Sequence, residues 1–251
     1  MRILLTNDDG IHAPGFALLE EIAAALSDDF TVCCPAEEQS GAGHSLTLHM
    51  PVRLQEHGPR RFAVTGTPTD AVNLALRTLF PDGPPDLVIS GINSGENLAD
   101  DVTYSGTISA AMEGALADIP AIALSQALRG GGHGFDAARG WAAKVLAPLI
   151  EMTMARRTLI NVNFPALPAE KVNGIRVVRQ GFHDYSRGSV VNSIDPRGRT
   201  YYWFGLEDVE HTPDRGTDLE AINGGFIAVT PLQLDLTHHA SLGALAERFA
   251  T

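Results

Sequence analysis

Apolar runs of strand length alternate with helix-period segments through the first two-thirds of the chain, and this alternation constrains the fold more than any other feature. Residues 2–6 (RILLT) read as a buried strand. Residues 14–27 follow with apolar side chains at Phe16, Leu19, Ile22, Ala23 and Leu26, one face of a helix. The pattern continues as strand 30–34, strand 61–65, helix 69–80 with Thr67 or Thr69 as its cap, strand 86–90, helix 105–118, strand 121–125, helix 135–153 and strand 158–163. Parallel strands need crossover helices that cover both faces of the sheet, which is why their sequences are continuously apolar. Residues 1–172 are therefore predicted to form a doubly wound α/β domain on a mostly parallel sheet.

From residue 173 the texture changes. GIRVVRQ, a long polar stretch, YYWFG and GGFIAVTPL lead to a helical segment at 242–249, so residues 173–251 read as a β-rich C-terminal extension. The stretch 184–204 is too long and too polar for a core element and predicts a projecting hairpin, whose YYWF cluster either docks on another subunit or packs internally. GGGHG at 130–134 reads as a flexible loop.

Of the 251 residues 44% are hydrophobic and 19% charged, the composition of a folded globular protein. The formal charge of -12 argues against holding a nucleic-acid polymer by its phosphates, which needs a basic face. Lysine occurs only at Lys144 and Lys171, leaving little room for a lysine-dependent mechanism, and the absence of GxxxxGK[ST] excludes a P-loop. The N-terminal apolar run is far too short for a signal peptide or a membrane span, so the expectation is a cytoplasmic protein without membrane association. Adjacent Cys33 and Cys34 match neither a disulfide framework nor CxxC spacing and are expected in the core.

In open parallel sheets ligands bind beyond the carboxyl ends of the strands, and three loops there carry unusual residues. After the first strand, Asn7-Asp8-Asp9-Gly10 places two carboxylates where both can converge on one ion. Such a pair suits a hard divalent cation, although the same residue types also form tight turns. After the second strand, EEQSGAGHSLT is a loop able to bring backbone N–H groups and a Ser oxygen close to a ligand. It lacks the second Gly of GxSxG and the third of GxGxxG. The third loop, SGINSGENLADDVTYSGTISAAMEG, offers the amides of Asn93 and Asn97 in a Gly-rich turn. It then opens a helix at Ser105-Gly106-Thr107, where free N–H groups suit a phosphate. No Ser-His pair or thiol stands ready as a covalent nucleophile, so metal-assisted hydrolysis of a phosphate ester is the leading reading.

NDDG, QSGAGHSLT, GTPTDAV, SGINSGEN, DVTYSGTISAAMEG and VTPLQLDLT, in this order from Asn7 to Thr237, resemble the stationary-phase survival protein SurE family. The resemblance implies a Rossmann-like domain and a phosphatase for nucleoside 5'-monophosphates, with 3'-nucleotides and short polyphosphate as further substrates. It implies one divalent cation per subunit, Mg²⁺ or Mn²⁺, on Asp8, Asp9, Ser40 and Asn93. Asn97, Ser105, Gly106 and Thr107 become phosphate contacts, with Asp8 and Asp9 also catalytic. The C-terminal hairpin and last helix are implied to exchange between subunits of a homodimer or homotetramer. The chain departs from the usual family pattern at Glu96, where a Pro is common, and at Ala99, where a Gly is.

Within that reading Asp9 orients or deprotonates the attacking water, or serves as the nucleophile itself. His44, His238 and His239 lie in or after the motifs as candidate acids for the leaving alkoxide, although a lone loop His is more often structural. The competing class is a non-catalytic nucleotide-sensing or phospho-receiver module, since an acidic pair after the first strand also suits a receiver. Neither Lys144 nor Lys171 follows a strand end as a receiver requires.

Overall fold

Each apolar run closes onto its neighbours as a strand, and the order in which they line up decides where a ligand can sit. The structure, a computed structural model, describes residues 1–128, 134–184, 188–206 and 213–250. All of the GGGHG segment except Gly134 lies outside the described residues. β1 (Ile3–Thr6), β2 (Phe30–Pro35), β3 (Leu54–Gly58), β4 (Arg61–Val64), β5 (Leu87–Ser94), β6 (Ala121–Gln126), β7 (Thr158–Phe164), β8 (Ile175–Val177) and β11 (Ile227–Gln233) form a nine-stranded sheet in the order β3-β4-β2-β1-β5-β6-β7-β11-β8. From β4 to β7 the pairing is parallel throughout; β3 and β11 run antiparallel to β4 and β7. The chain moves outward from β1 through β2 to β4 and then crosses back to β5, so the switch point lies between β1 and β5.

Helices cover both faces. Ile3 and Leu5 point to the side packed by α1 (Pro14–Leu26) and α4 (Asp136–Glu151), whereas Leu4 and Val88 point to α2 (Pro68–Thr78) and α3 (Gly106–Leu116). Phe16 and Phe164 are fully buried, each worth about 1.5–3 kcal/mol relative to exposure. Cys33 and Cys34 are buried free thiols, and burial pushes Cys33 up to about 12, so both behave as small apolar residues. Thr67 rather than Thr69 caps α2: its hydroxyl accepts from Asp70 N–H, and Asp70 reaches back to Thr67 N–H.

Three differences from the sequence reading have physical causes. β3 has no apolar run because it is a largely exposed edge strand, and α5 (Asp218–Asn223) is too short to show a period. β5 continues past residue 90 to Ser94, so Asn93 lies on a strand end rather than in a turn. Gly91 makes this possible. At φ +132°, a Cβ there would sit 2.3 Å from the Leu124 carbonyl oxygen, and the register against β6 shifts between Ser90 and Asn93.

β8 and β11 extend the same sheet, and Pro231 of β11 lies beyond the short β8, which pairs only through Val229. Among the described residues β9 (Gly188–Ile194) and β10 (Thr200–Leu206) pair only with each other, forming the projecting hairpin. Its aromatics are not packed internally: Trp203 is 67% and Phe204 86% exposed. α6 (Leu242–Phe249) contributes no buried residue.

Candidate active site

The loops after β1, β2 and β5 meet at the switch point, at the carboxyl edge of the sheet. Asp8 leaves β1 already buried and meets the start of α3, where the Thr107 hydroxyl donates to Asp8 Oδ1. Gly106 permits this approach, since a Cβ there would lie 2.7 Å from Asp8 Cβ and 2.8 Å from Oδ2. Asp9 turns to the other side, its Oδ2 accepting from Ser94 N–H at 3.1 Å, next to Asn93. The β2 loop docks through Gln39 N–H, which donates to the Asp8 carbonyl at 2.8 Å one residue before Ser40. Ser40 is exposed, and its hydroxyl donates to Glu38 Oε1 at 2.8 Å.

The electrostatics match this crowding. Burial pushes Asp8 up to about 6, with Asp9 adding to the rise and the bonds from Thr107 opposing it. Asp9 is raised by burial too, with Glu38 adding and the Ser94 N–H opposing. Beside them Asn7 Oδ1 is buried with no donor, while its Nδ2 donates to the Gly10 carbonyl at 2.8 Å. Two raised carboxylates and an orphaned amide oxygen fit a hard divalent cation. Among the described residues no group of three or more His, Cys, Asp or Glu could hold a metal ion.

The residues expected at the phosphate are split in what they offer. Ser105 caps α3, its Oγ accepting from Ile108 N–H at 3.1 Å, and Thr107 gives its hydroxyl to Asp8. What α3 presents is the first-turn N–H groups of Gly106 and Thr107, the latter shared with the Asp8 carboxylate, with the dipole behind them. Asn97 is buried beyond β5, its Nδ2 donating to Ser125 Oγ at 2.9 Å. The candidate histidines have other tasks. His44 Nε2 bonds Glu113 Oε1 at 2.7 Å, two turns along α3 from Gly106, and His239 bonds Asp235 at 2.7 Å on an exposed turn.

Sequence reasoning passed over Ser125, Asn161 and Asn163, which surround Asn97. The signal was present in TLINVN, where Asn161 and Asn163 alternate with apolar residues and so mark one face at the sheet's end. It also passed over Asp218, a fully buried carboxylate that accepts from the N–H groups of Ala99, Gly181 and Leu219. Ala99 has φ +50°, the left-handed region that explains the Gly usual there in the resembling family. Its N–H and carbonyl are clamped by Asp218 and by Gln180 Nε2.

Residues 3–187 match the family model described as Survival protein SurE. The chain is 67% identical over 251 residues to 5'-nucleotidase SurE of Erythrobacter litoralis, covering 99% of this chain and 100% of that one. It is 58% identical over 248 residues to 5'-nucleotidase SurE of Rhizorhabdus wittichii, covering 97% and 98%. The crystal structure of the SurE protein from Aquifex aeolicus superposes with a TM-score of 0.86 at 37% identity, covering 99% of both chains. Carried by the loops at the switch point and by these relatives, the conclusion is that the chain belongs to the SurE survival-protein family.

Proposed function

We propose that this protein hydrolyses the phosphate ester of nucleoside 5'-monophosphates, with one divalent cation, Mg²⁺ or Mn²⁺, held by Asp8, Asp9, Ser40 and Asn93. The observation that carries the reading is the Asp8–Asp9 pair at the switch point, with Asp8 buried against the N-terminus of α3 and the half-buried Asp9 held by Ser94 N–H. The 5'-nucleotidase names of the relatives support it. When bound, such a cation supplies charge neutralisation and an activated water at neutral pH.

The chain's own residues do the rest. The Gly106 and Thr107 N–H groups and the Asn97 amide hold phosphate oxygens, supplying positive potential in a chain of charge -12. Thr107 fixes the rotamer of Asp8, and Ser94 N–H fixes Asp9, which orients the attacking water or takes its proton. Because this site grips the phosphoryl group, 3'-nucleotides and short polyphosphate fall within the same chemistry.

No helix among the described residues is long and apolar enough to cross a membrane, and we place the activity in the cytoplasm. The exposed aromatics of β10 and the unburied α6 are the surfaces through which we infer a homodimer or homotetramer. The test is phosphate release from 5'- and 3'-mononucleotides and short polyphosphate by the parent, Asp8→Asn and Asp9→Asn. Multiple turnovers by the parent, abolished in both variants, support the hydrolase. A single phosphate retained on the protein supports a receiver instead.

A further inference from the structure

The segment between β5 and α3 is held by side chains rather than by a strand ladder. Asn97 N–H donates to Asn163 Oδ1 at 2.8 Å, and the Asn97 carbonyl accepts from Nδ2 of Asn161 at 2.8 Å and of Asn163 at 3.1 Å. The Asn97 side chain is tied as well, through Nδ2 to Ser125 Oγ. All four residues are buried. Asn93, Ser125 and Asn163 are register partners across β5, β6 and β7, so one polar row underlies both the cation donors and the phosphate contact. Buried amides are tolerated only when their donors and acceptors are matched, and a network so matched fixes orientation.

A carboxamide has two N–H donors. With one directed at Ser125, the other points in a fixed direction, and an arriving phosphate oxygen meets a donor that needs no reorientation. We propose that Ser125 is a positioning residue for phosphate binding, acting through Asn97. This rests on the reading of Asn97 as a phosphate contact. Ser125 does not itself touch the substrate; without its hydroxyl the Asn97 amide loses the partner that sets its rotation.

The test is a double-mutant cycle of Ser125→Ala and Asn97→Ala in the metal-loaded full chain, reading KM, kcat, thermal midpoint and the inhibition constant of inorganic phosphate. Ser125→Ala is expected to raise KM and the phosphate inhibition constant together, roughly five- to tenfold, with kcat and midpoint near parental values. In the Asn97→Ala background it is expected to add nothing further. A Ser125→Ala effect that persists in full without Asn97, or that falls on midpoint and kcat alone, overturns the positioning role while leaving Asn97 as a contact. Parental KM and inhibition constant in Asn97→Ala overturn the reading of Asn97 and the role of Ser125 with it.

Discussion

Asp8 carries a charge that the fold alone does not favour. A buried acid raised to about 6 holds its proton more readily folded than unfolded, so EDTA-stripped protein loses stability as the pH rises from about 4 through 6. Asp8→Asn removes that penalty: at pH 8 the stripped variant melts above the stripped parent, and by pH 4 the gap closes. Divalent cation should raise the parent's midpoint and leave the variant's in place; a variant melting below the parent at pH 8 would contradict the account. Asp70 has the opposite sign. Burial pushes its carboxyl up, but hydrogen bonds from Thr47 and Thr67 outweigh this and hold it below its usual value. Its stabilisation is complete above the ordinary carboxylate range and is lost as the pH falls, so Asp70→Asn should flatten the acid limb of a stability–pH curve measured by urea unfolding. At this scale the placement of Asp8 and Asp9 just past β1 and of Ser105 at the start of α3 was legible from turn formers after an apolar run and from a hydroxyl before a helical period, whereas Asn93 lies on the end of β5. Ser125 was not legible, because it sits inside a strand whose apolar neighbours dominate the pattern, and the same dominance hid the Asn161–Asn163 alternation that β7 does carry.

Between residues and the whole fold, the decisive features are loops held by single side chains. Glu113 on α3 joins His44 to Asn73, tying the loop that carries Ser40 to both α2 and α3. Asp218 at the start of α5 clamps Ala99 in its left-handed conformation at the turn that leads into α3. Asp218→Ala would leave three backbone N–H groups without their acceptor. At about 1–3 kcal/mol for each unsatisfied donor, a loss of roughly 3 kcal/mol or more is expected in urea unfolding. A loss under about 1 kcal/mol would mean that the clamp is dispensable. The long helices and buried parallel strands could be read from their periods. The clamps could not, since a carboxylate 119 residues from its partner leaves no local trace.

At the scale of the molecule, the strand order explains why three loops so distant in sequence face one another, and the hairpin and α6 leave apolar side chains exposed. If those apolar faces meet a second copy, light scattering coupled to gel filtration will give a dimer or tetramer mass, and Phe204→Asp with Trp203→Ala will shift it toward the monomer without lowering the monomer's helical content. A parental mass in that variant would move the interface elsewhere. The switch-point architecture was legible from the βα alternation, whereas the joining of β8 and β11 to the same sheet was not, because three- and seven-residue strands after a polar stretch carry little periodic signal. The central claim is that Asp8 and Asp9 hold the cation on which phosphoryl hydrolysis depends. The most direct measurement is phosphate release from a nucleoside 5'-monophosphate by EDTA-stripped protein, before and after Mn²⁺ or Mg²⁺ is restored. Turnover that is absent when stripped and returns with the cation is the predicted result; undiminished turnover after stripping would contradict it.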